Sequence, residues 1–234
     1  MALSARARAA IAAVLASLDL QRLADVYCDH GGDAFWADRL EPVRDLGGRW
    51  AAELTERLAP GGVSLYVGAG VAELPALITE VLDLSRTVRA SNLRQVEVDV
   101  VNRALASHGL PELLSCADAR ELGSAHDHLS VVSVLSDPET FPMVSGITYG
   151  RLHPVHVDVD ELARERIDVE ALVEAICGGM RLPGLITTTV EEVPWLLAWA
   201  EARGLVIEPD EAMVETAIVG DPIGFLRVQA RPSA

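Results

Sequence analysis

The apolar positions of this chain change rhythm once. Up to about residue 58 they recur at helical spacing, with Ile11, Val14, Leu15 and Leu18 followed by Leu20, Leu23, Val26 and Tyr27. That spacing predicts two or three helices with Trp36 and Trp50 packed between them. Gly31-Gly32 and Gly47-Gly48 punctuate the stretch, and Pro60-Gly61-Gly62 closes it with a turn. From Val63 onward, short apolar runs alternate with helical patterns. Strands are expected over 63–67, 87–90, 113–116, 129–135 and 185–189, and helices over 72–82, 93–108, 169–177 and 193–203. The 129–135 run lacks polar alternation, which suits a strand covered on both faces. Residues 138–160 carry no regular pattern. The end of the chain reads 205–207, then 212–219, the turn Gly220-Asp221-Pro222, and 224–229, the last pair forming an antiparallel hairpin.

Five βα units closed by a hairpin imply an α/β fold: a Rossmann-like, mostly parallel sheet with helices on both faces and a C-terminal antiparallel hairpin. Residues 1–62 read as a helical lid belonging to the same domain as the α/β unit 63–234, since 234 residues suit one core better than two. Charge narrows the partners. With 35 acidic and 19 basic residues, the formal net charge of −16 repels phosphate backbones at long range and disfavours nucleic acid. Every basic residue is Arg. Cys28, Cys116 and Cys177 lie far apart without a C-x-x-C pair, which fits a reducing compartment. Arg6, Arg8 and Asp19 interrupt the Ala-rich start, so it reads as an amphipathic helix rather than a targeting segment. With no apolar run of the ~18 residues needed to span a bilayer, a cytoplasmic protein is expected.

The candidate chemistry gathers at strand ends. Gly68-Ala69-Gly70 sits between the first strand and its helix, where glycine lets the backbone approach a ligand and expose a helix N-terminus. The second strand ends at Ser91-Asn92, about 20 residues on, where nucleotide-binding folds place a group on the ribose hydroxyls. The third ends at Asp118-Ala119. In an open α/β sheet such turns converge at the carboxyl ends of the strands. The largest enclosed pocket is therefore expected between the N-terminal helices and Gly68, Asn92, Asp118 and Leu135.

From the glycine turn through the terminal hairpin, residues 63–229 resemble the class I S-adenosylmethionine-dependent methyltransferases. The resemblance implies S-adenosylmethionine as cofactor and a small-molecule oxygen or nitrogen nucleophile as methyl acceptor. It places Gly68, Ala69 and Gly70 against the methionine part, Asn92 at the ribose, and Asp118 with Ala119 at the adenine. Three positions depart from the family pattern: Tyr66 replaces an acid two residues before the first Gly, Ala72 replaces the third Gly, and Asn92 replaces the ribose-binding acid. These departures keep open a non-catalytic methyltransferase-like module acting through protein contacts or ligand sensing. A dehydrogenase-type fold conflicts with the terminal hairpin.

Further candidates are single groups. Asp137, in Ser136-Asp137-Pro138-Glu139-Thr140-Phe141, is similar in position to the Asp-Pro-Pro-Tyr motif of amino-group methyltransferases but lacks its second Pro and adjacent aromatic; a turn-capping role competes with the functional one. His153 and His156 are candidate general bases, because imidazole titrates near neutrality. His126 with His128, and His153 and His156 with Asp158, have spacings a metal could use, but the first pair is expected in a loop and no metal is assigned. Cys28-Asp29-His30 invites a nucleophile-base reading that helical geometry opposes. Glu191-Glu192 read as the charged first turn of a helix.

Overall fold

The computed structural model describes residues 3–27, 35–123, 125–215 and 221–231. Seven strands form one sheet: β1 (Val63–Val67), β2 (Thr87–Asn92), β3 (Leu114–Cys116), β4 (His126–Val131), β5 (Met180–Thr189), β6 (Leu205–Val214) and β7 (Ile223–Ala230). Their order is β3-β2-β1-β4-β5-β7-β6. The pairs β1–β2, β2–β3, β1–β4 and β4–β5 are parallel, whereas β7 runs antiparallel to both β5 and β6. The expected sheet and hairpin are thus present. The chain winds outward from β1 to β3 and then returns to place β4 on the other side of β1. That reversal opens a crevice at the carboxyl ends of β1 and β4.

Eight helices are described: α1 (Ala5–Ala16), α2 (Leu20–Tyr27), α3 (Leu40–Arg57), α4 (Leu74–Leu82), α5 (Gln95–Ser107), α6 (Pro142–Thr148), α7 (Val159–Cys177) and α8 (Val193–Ala202). Alternation along β1 divides the core. Tyr66 faces a cluster built with Leu15, Trp50, Leu54, Leu77 and Val101, while Leu65 and Val67 face one built with Val173, Ile176 and Leu196. The N-terminal helices therefore share the core of one sheet face rather than only covering its edge. No helix among the described residues is long and apolar enough to cross a membrane.

Several expectations are corrected. Gly47-Gly48 do not break a helix; they lie inside α3, where a Cβ on Gly47 would stand 2.5 Å from Pro75 Cγ, so this glycine permits α3 to press against the start of α4. α7 begins ten residues before its expected start, because the Asp158 carboxylate accepts from the Asp160 and Glu161 N–H groups at 3.1 and 3.0 Å and caps it. α6 occupies part of the stretch read as irregular. The segment 205–214 is one strand, since Pro209 sits on the sheet's edge strand with a register shift before Met213. Residues 216–220, to which part of the expected hairpin was assigned, lie outside the described residues, as does Cys28-Asp29-His30.

The fourth strand is displaced most. It spans His126–Val131 rather than 129–135, and His128 lies wholly inside the sheet. A polar network makes that possible. His128 Nδ1 lies 3.2 Å from Ser64 Oγ and 3.0 Å from Glu80 Oε1, and its Nε2 lies 3.0 Å from Thr187 Oγ1. Ser64 and Tyr66 donate their hydroxyls to Glu80, the latter at 2.6 Å. Arg86 Nε meets Glu80 Oε2 at 3.2 Å, and Arg86 Nη2 meets Asp127 Oδ1 at 2.6 Å. Burial alone would push the Glu80 carboxyl up, but His128, Ser64 and Tyr66 together hold it below its ordinary value. This network ties the amino ends of β1 and β4 to α4, and it lies at the edge of the sheet opposite the crevice.

Candidate functional site

The crevice at the carboxyl ends of the strands is a cavity of about 770 Å³. Its walls come from separate turns: Gly68 and Gly70 after β1, Asn92 at the end of β2, Asp118 and Ala119 after β3, and Ser133 with Val134 after β4. The expected convergence holds for Gly68, Asn92 and Asp118. Leu135 is instead fully buried, its N–H donating to Glu192 Oε1 at 2.5 Å, and Val134 takes its place on the wall. Ala69 is likewise buried and is not among the residues lining the cavity. Its N–H donates to the Ser91 carbonyl at 2.9 Å, which ties the glycine turn to β2.

Gly68 has φ +70, and a Cβ there would lie 2.8 Å from Val134 Cγ2. Both facts reserve the position for glycine. A Cβ on Gly70 would collide with Glu97 Oε1. Glu97 lies in the first turn of α5, is 1% exposed, and reaches across to the glycine turn. Its Oε2 accepts from Asn92 Nδ2 at 3.0 Å, and its Oε1 accepts the Tyr27 hydroxyl. Burial holds its carboxyl above the ordinary value, opposed by the Tyr27 and Asn92 donors. The second hydrogen of the Asn92 amide goes to the Ala69 carbonyl at 2.9 Å, and its oxygen accepts the Arg94 N–H at 2.8 Å. Every polar atom of the Asn92 side chain is engaged.

Glu73 adds a second carboxylate beside the same turn. It accepts the Gly70 N–H at 2.8 Å, and burial pushes its carboxyl up to about 7. Tyr66, which stands where the resemblance expects an acid, does not line the cavity; its ring and hydroxyl belong to the Glu80 network. Asp118 does line it, but its carboxylate is held by Arg120, whose Nε approaches Oδ1 and Oδ2 at 3.0 and 2.9 Å and whose own N–H caps Oδ1. That arginine keeps the Asp118 carboxyl below its ordinary value.

An aromatic wall closes the N-terminal side. Tyr27 stacks on Phe35 at 5.5 Å between centroids, and Trp36 meets both rings edge-on. Arg94 lies 5.4 Å above the Tyr27 ring and pairs with Glu139 at 2.6 Å, joining the ends of β2 and β4 at the rim. Among the described residues, the Trp36 indole N–H and the Ser133 hydroxyl, both on cavity-lining side chains, have no hydrogen-bond partner. Such orphaned polar atoms are what a bound ligand or water satisfies.

The single-group candidates separate. Asp137 lines the rim, and its Oδ2 caps the Thr140 turn, accepting from the N–H at 2.9 Å and the hydroxyl at 2.6 Å. His153 and His156 are exposed, 6.0 Å apart between ring centroids, and not among the residues lining the cavity. His126 and His128 are buried in β4. No group of His, Cys, Asp and Glu among the described residues is arranged to hold a metal. The sequence reading missed Glu73 and Glu97, although an acid at the start of the helix that follows each strand end was a usable signal. Glu191 and Glu192 do form the first turn of a short 3₁₀ helix (Val190–Glu192) leading into α8, but Glu192 is fully buried, bridges Leu135 to Thr188, and is pushed up to about 7 by burial.

The fold has a counterpart in the solved structure of magnesium protoporphyrin IX methyltransferase from Synechocystis PCC 6803 with bound SAM. The TM-score is 0.55 and the identity 13%, over 90% of this chain and 90% of that one. The chain has the class I methyltransferase fold. The same Synechocystis enzyme with bound SAH gives a TM-score of 0.52 at 12% identity, over 90% of this chain and 93% of that one. No protein-family model and no curated protein matches the sequence.

Proposed function

We propose that the cavity binds S-adenosylmethionine and that the chain transfers its methyl group to a small-molecule oxygen or nitrogen nucleophile. The observation that carries this reading is the meeting of four strand-end turns around one cavity, in the fold that the Synechocystis enzyme uses to hold SAM and SAH. About 770 Å³ lies within the ~300–1,000 Å³ of small-molecule and cofactor sites. Two further features support the fit: Gly68, exposed on the cavity wall at φ +70, leaves its backbone open there, and Trp36 and Ser133 offer unpartnered polar atoms.

In this reading Gly68 and Gly70 face the methionine part, Asn92 and the groups it organises face the ribose, and Ala119 with the Asp118 backbone faces the adenine. The cofactor supplies a methyl carbon made electrophilic by its sulfonium. The protein's task is then to hold an acceptor in line and keep water out, which requires few catalytic side chains. Tyr27, Phe35 and Trp36 exclude water on one side, and Asp137 is the rim carboxylate available to orient an acceptor. The formal charge of −16 disfavours nucleic-acid acceptors.

A second reading, a ligand-sensing module without catalysis, draws on the engagement of Asn92 and Asp118 by protein partners. Calorimetric titration with S-adenosylmethionine and S-adenosylhomocysteine, followed by methyl-release assays against a panel of small phenols, carboxylates and amines, tests both. Binding with turnover supports the transferase. Binding without turnover across the panel favours the module, and absence of binding to either compound removes the cofactor reading.

A further inference from the structure

Glu97 is an unusual group to find beside the glycine turn. Two of its hydrogen bonds come from fixed elements: Asn92 Nδ2 at 3.0 Å from the end of β2, and the Val71 backbone N–H from the turn itself. The remaining donor is the Tyr27 hydroxyl, which comes from α2, packed against α5, and meets Oε1 on the side facing Gly70. Removing Tyr27 from this position would expose a carboxylate oxygen to the cavity. The end of β2 is also where nucleotide-binding folds set an acid against the ribose hydroxyls, and here that position holds an Asn whose polar atoms are all consumed.

We infer that Glu97 receives the vicinal diol of a bound nucleoside, and that the Tyr27 hydroxyl occupies the place of one ribose hydroxyl in the ligand-free chain. This rests on the nucleoside reading of the cavity given above. The chemistry matches on both sides. A phenol and a sugar hydroxyl are both O–H donors to one carboxylate oxygen, so one replaces the other without leaving the buried charge unpaired. Asn92 is then a positioning residue: it aims Glu97 at the cavity and does not itself meet the sugar. Binding is coupled to displacement of the Tyr27 hydroxyl from Glu97, and the Phe35 and Trp36 rings in contact with Tyr27 register that shift. The inference identifies this chain's acid for the sugar and a built-in competitor for it.

The experiment uses the full chain and four ligands: S-adenosylhomocysteine, adenosine, 2′-deoxyadenosine and 3′-deoxyadenosine. Calorimetry gives affinities, and tryptophan fluorescence reports the aromatic wall. The parent is expected to bind S-adenosylhomocysteine and to prefer adenosine over either deoxy analogue by about tenfold, the worth of one hydrogen bond to a charged group. Tyr27→Phe, which leaves the carboxylate uncontested, is expected to bind S-adenosylhomocysteine about tenfold more tightly. In Glu97→Gln, checked for folding by thermal unfolding, the preference for the diol should fall to about twofold or less, because a neutral amide oxygen replaces the charged acceptor. Parent protein that binds S-adenosylhomocysteine but treats adenosine and its deoxy analogues alike overturns the inference while leaving the cofactor reading intact. A diol preference retained in Glu97→Gln also overturns it. Failure of the parent to bind S-adenosylhomocysteine at all removes the cofactor reading, and the inference with it.

Discussion

Replacing Asn92 by aspartate puts a carboxylate at the strand end where the resemblance expects one. From sequence alone the change should tighten nucleoside binding, since a charged acceptor would meet the ribose. The geometry reverses that sign. Both hydrogens of the Asn92 amide are donated, one to the Ala69 carbonyl at 2.9 Å and one to Glu97 Oε2 at 3.0 Å. Aspartate has no hydrogen to give, so an anionic oxygen would face a carbonyl and a second carboxylate. A hydrogen bond to a charged group contributes about 1.5–3 kcal/mol and one to a neutral group about 0.5–1.5, so losing both destabilises the fold by about 2–4 kcal/mol.

Two carboxylates about 3 Å apart cannot both ionise, so the introduced carboxyl and Glu97 would together retain a proton in the folded chain. Glu97 already sits above its ordinary value through burial. A carboxyl raised in the folded state holds a proton that the unfolded chain releases, and stability then falls as pH rises from the unfolded value through the folded one. The deficit of Asn92→Asp is therefore expected to be small at pH 5 and largest at pH 8. Urea denaturation of parent and variant at both pH values measures it. A variant as stable as the parent at pH 8, or one that binds S-adenosylhomocysteine more tightly there, would refute the assignment of Asn92 as a donor to Glu97.

Three other changes probe different parts of the molecule. Glu192 and Glu73 are both pushed up to about 7 by burial, so the parent should lose stability between pH 5 and 8; Glu192→Gln should flatten that slope by up to about 3 kcal/mol, read from melting curves. The amide can still accept from the Leu135 N–H while donating to Thr188, whose hydroxyl has the Thr189 carbonyl as a second partner. Arg86→Met leaves Glu80 and Asp127 without their guanidinium and should destabilise the fold by about 3–5 kcal/mol in chemical denaturation. Gly70→Ala should push Glu97 away from the turn and weaken S-adenosylhomocysteine binding by at least tenfold; unchanged affinity would show that the close approach is unnecessary.

The fold was legible because its signals are short-range. Apolar runs mark β1, β2 and β5, the turn ending in Asp221-Pro222 marks the hairpin, and each helix that packs on the sheet shows its stripe. The errors have a common cause. His126 and His128 looked like loop residues because imidazoles are polar, yet Ser64, Glu80 and Thr187 come from three other elements to satisfy His128. Tertiary partners are invisible to a local reading. The same holds at the site: Gly68 and Gly70 announce a close approach, but which group approaches Gly70 depends on α5 swinging Glu97 across from the end of β2. The Asp158 cap of α7, by contrast, was available in the sequence as an Asp followed three positions later by Glu161, and it was overlooked.

The two edges of the sheet hold similar side chains and use them differently. At the amino ends, Ser64, His128 and Glu80 are close enough to suggest a nucleophile, a base and an orienting acid, but all three are fully buried and fully partnered, with Arg86 sealing the set. A substrate cannot reach them, and their effect is to lock β1 and β4 in register. At the carboxyl ends, Glu73, Glu97, Asp137 and Asp168 line an open cavity, while its arginines Arg39, Arg94 and Arg120 are already paired with Asp38, Glu139 and Asp118. The uncompensated field there is negative. Such a field favours a ligand that brings cationic centres, and it opposes one that brings phosphate. S-adenosylmethionine carries a sulfonium and an ammonium against one carboxylate and so is cationic on balance, whereas a dinucleotide carries an anionic pyrophosphate. The electrostatics of the cavity thus separate the methyl-donor reading from the dehydrogenase-type alternative on grounds independent of strand order.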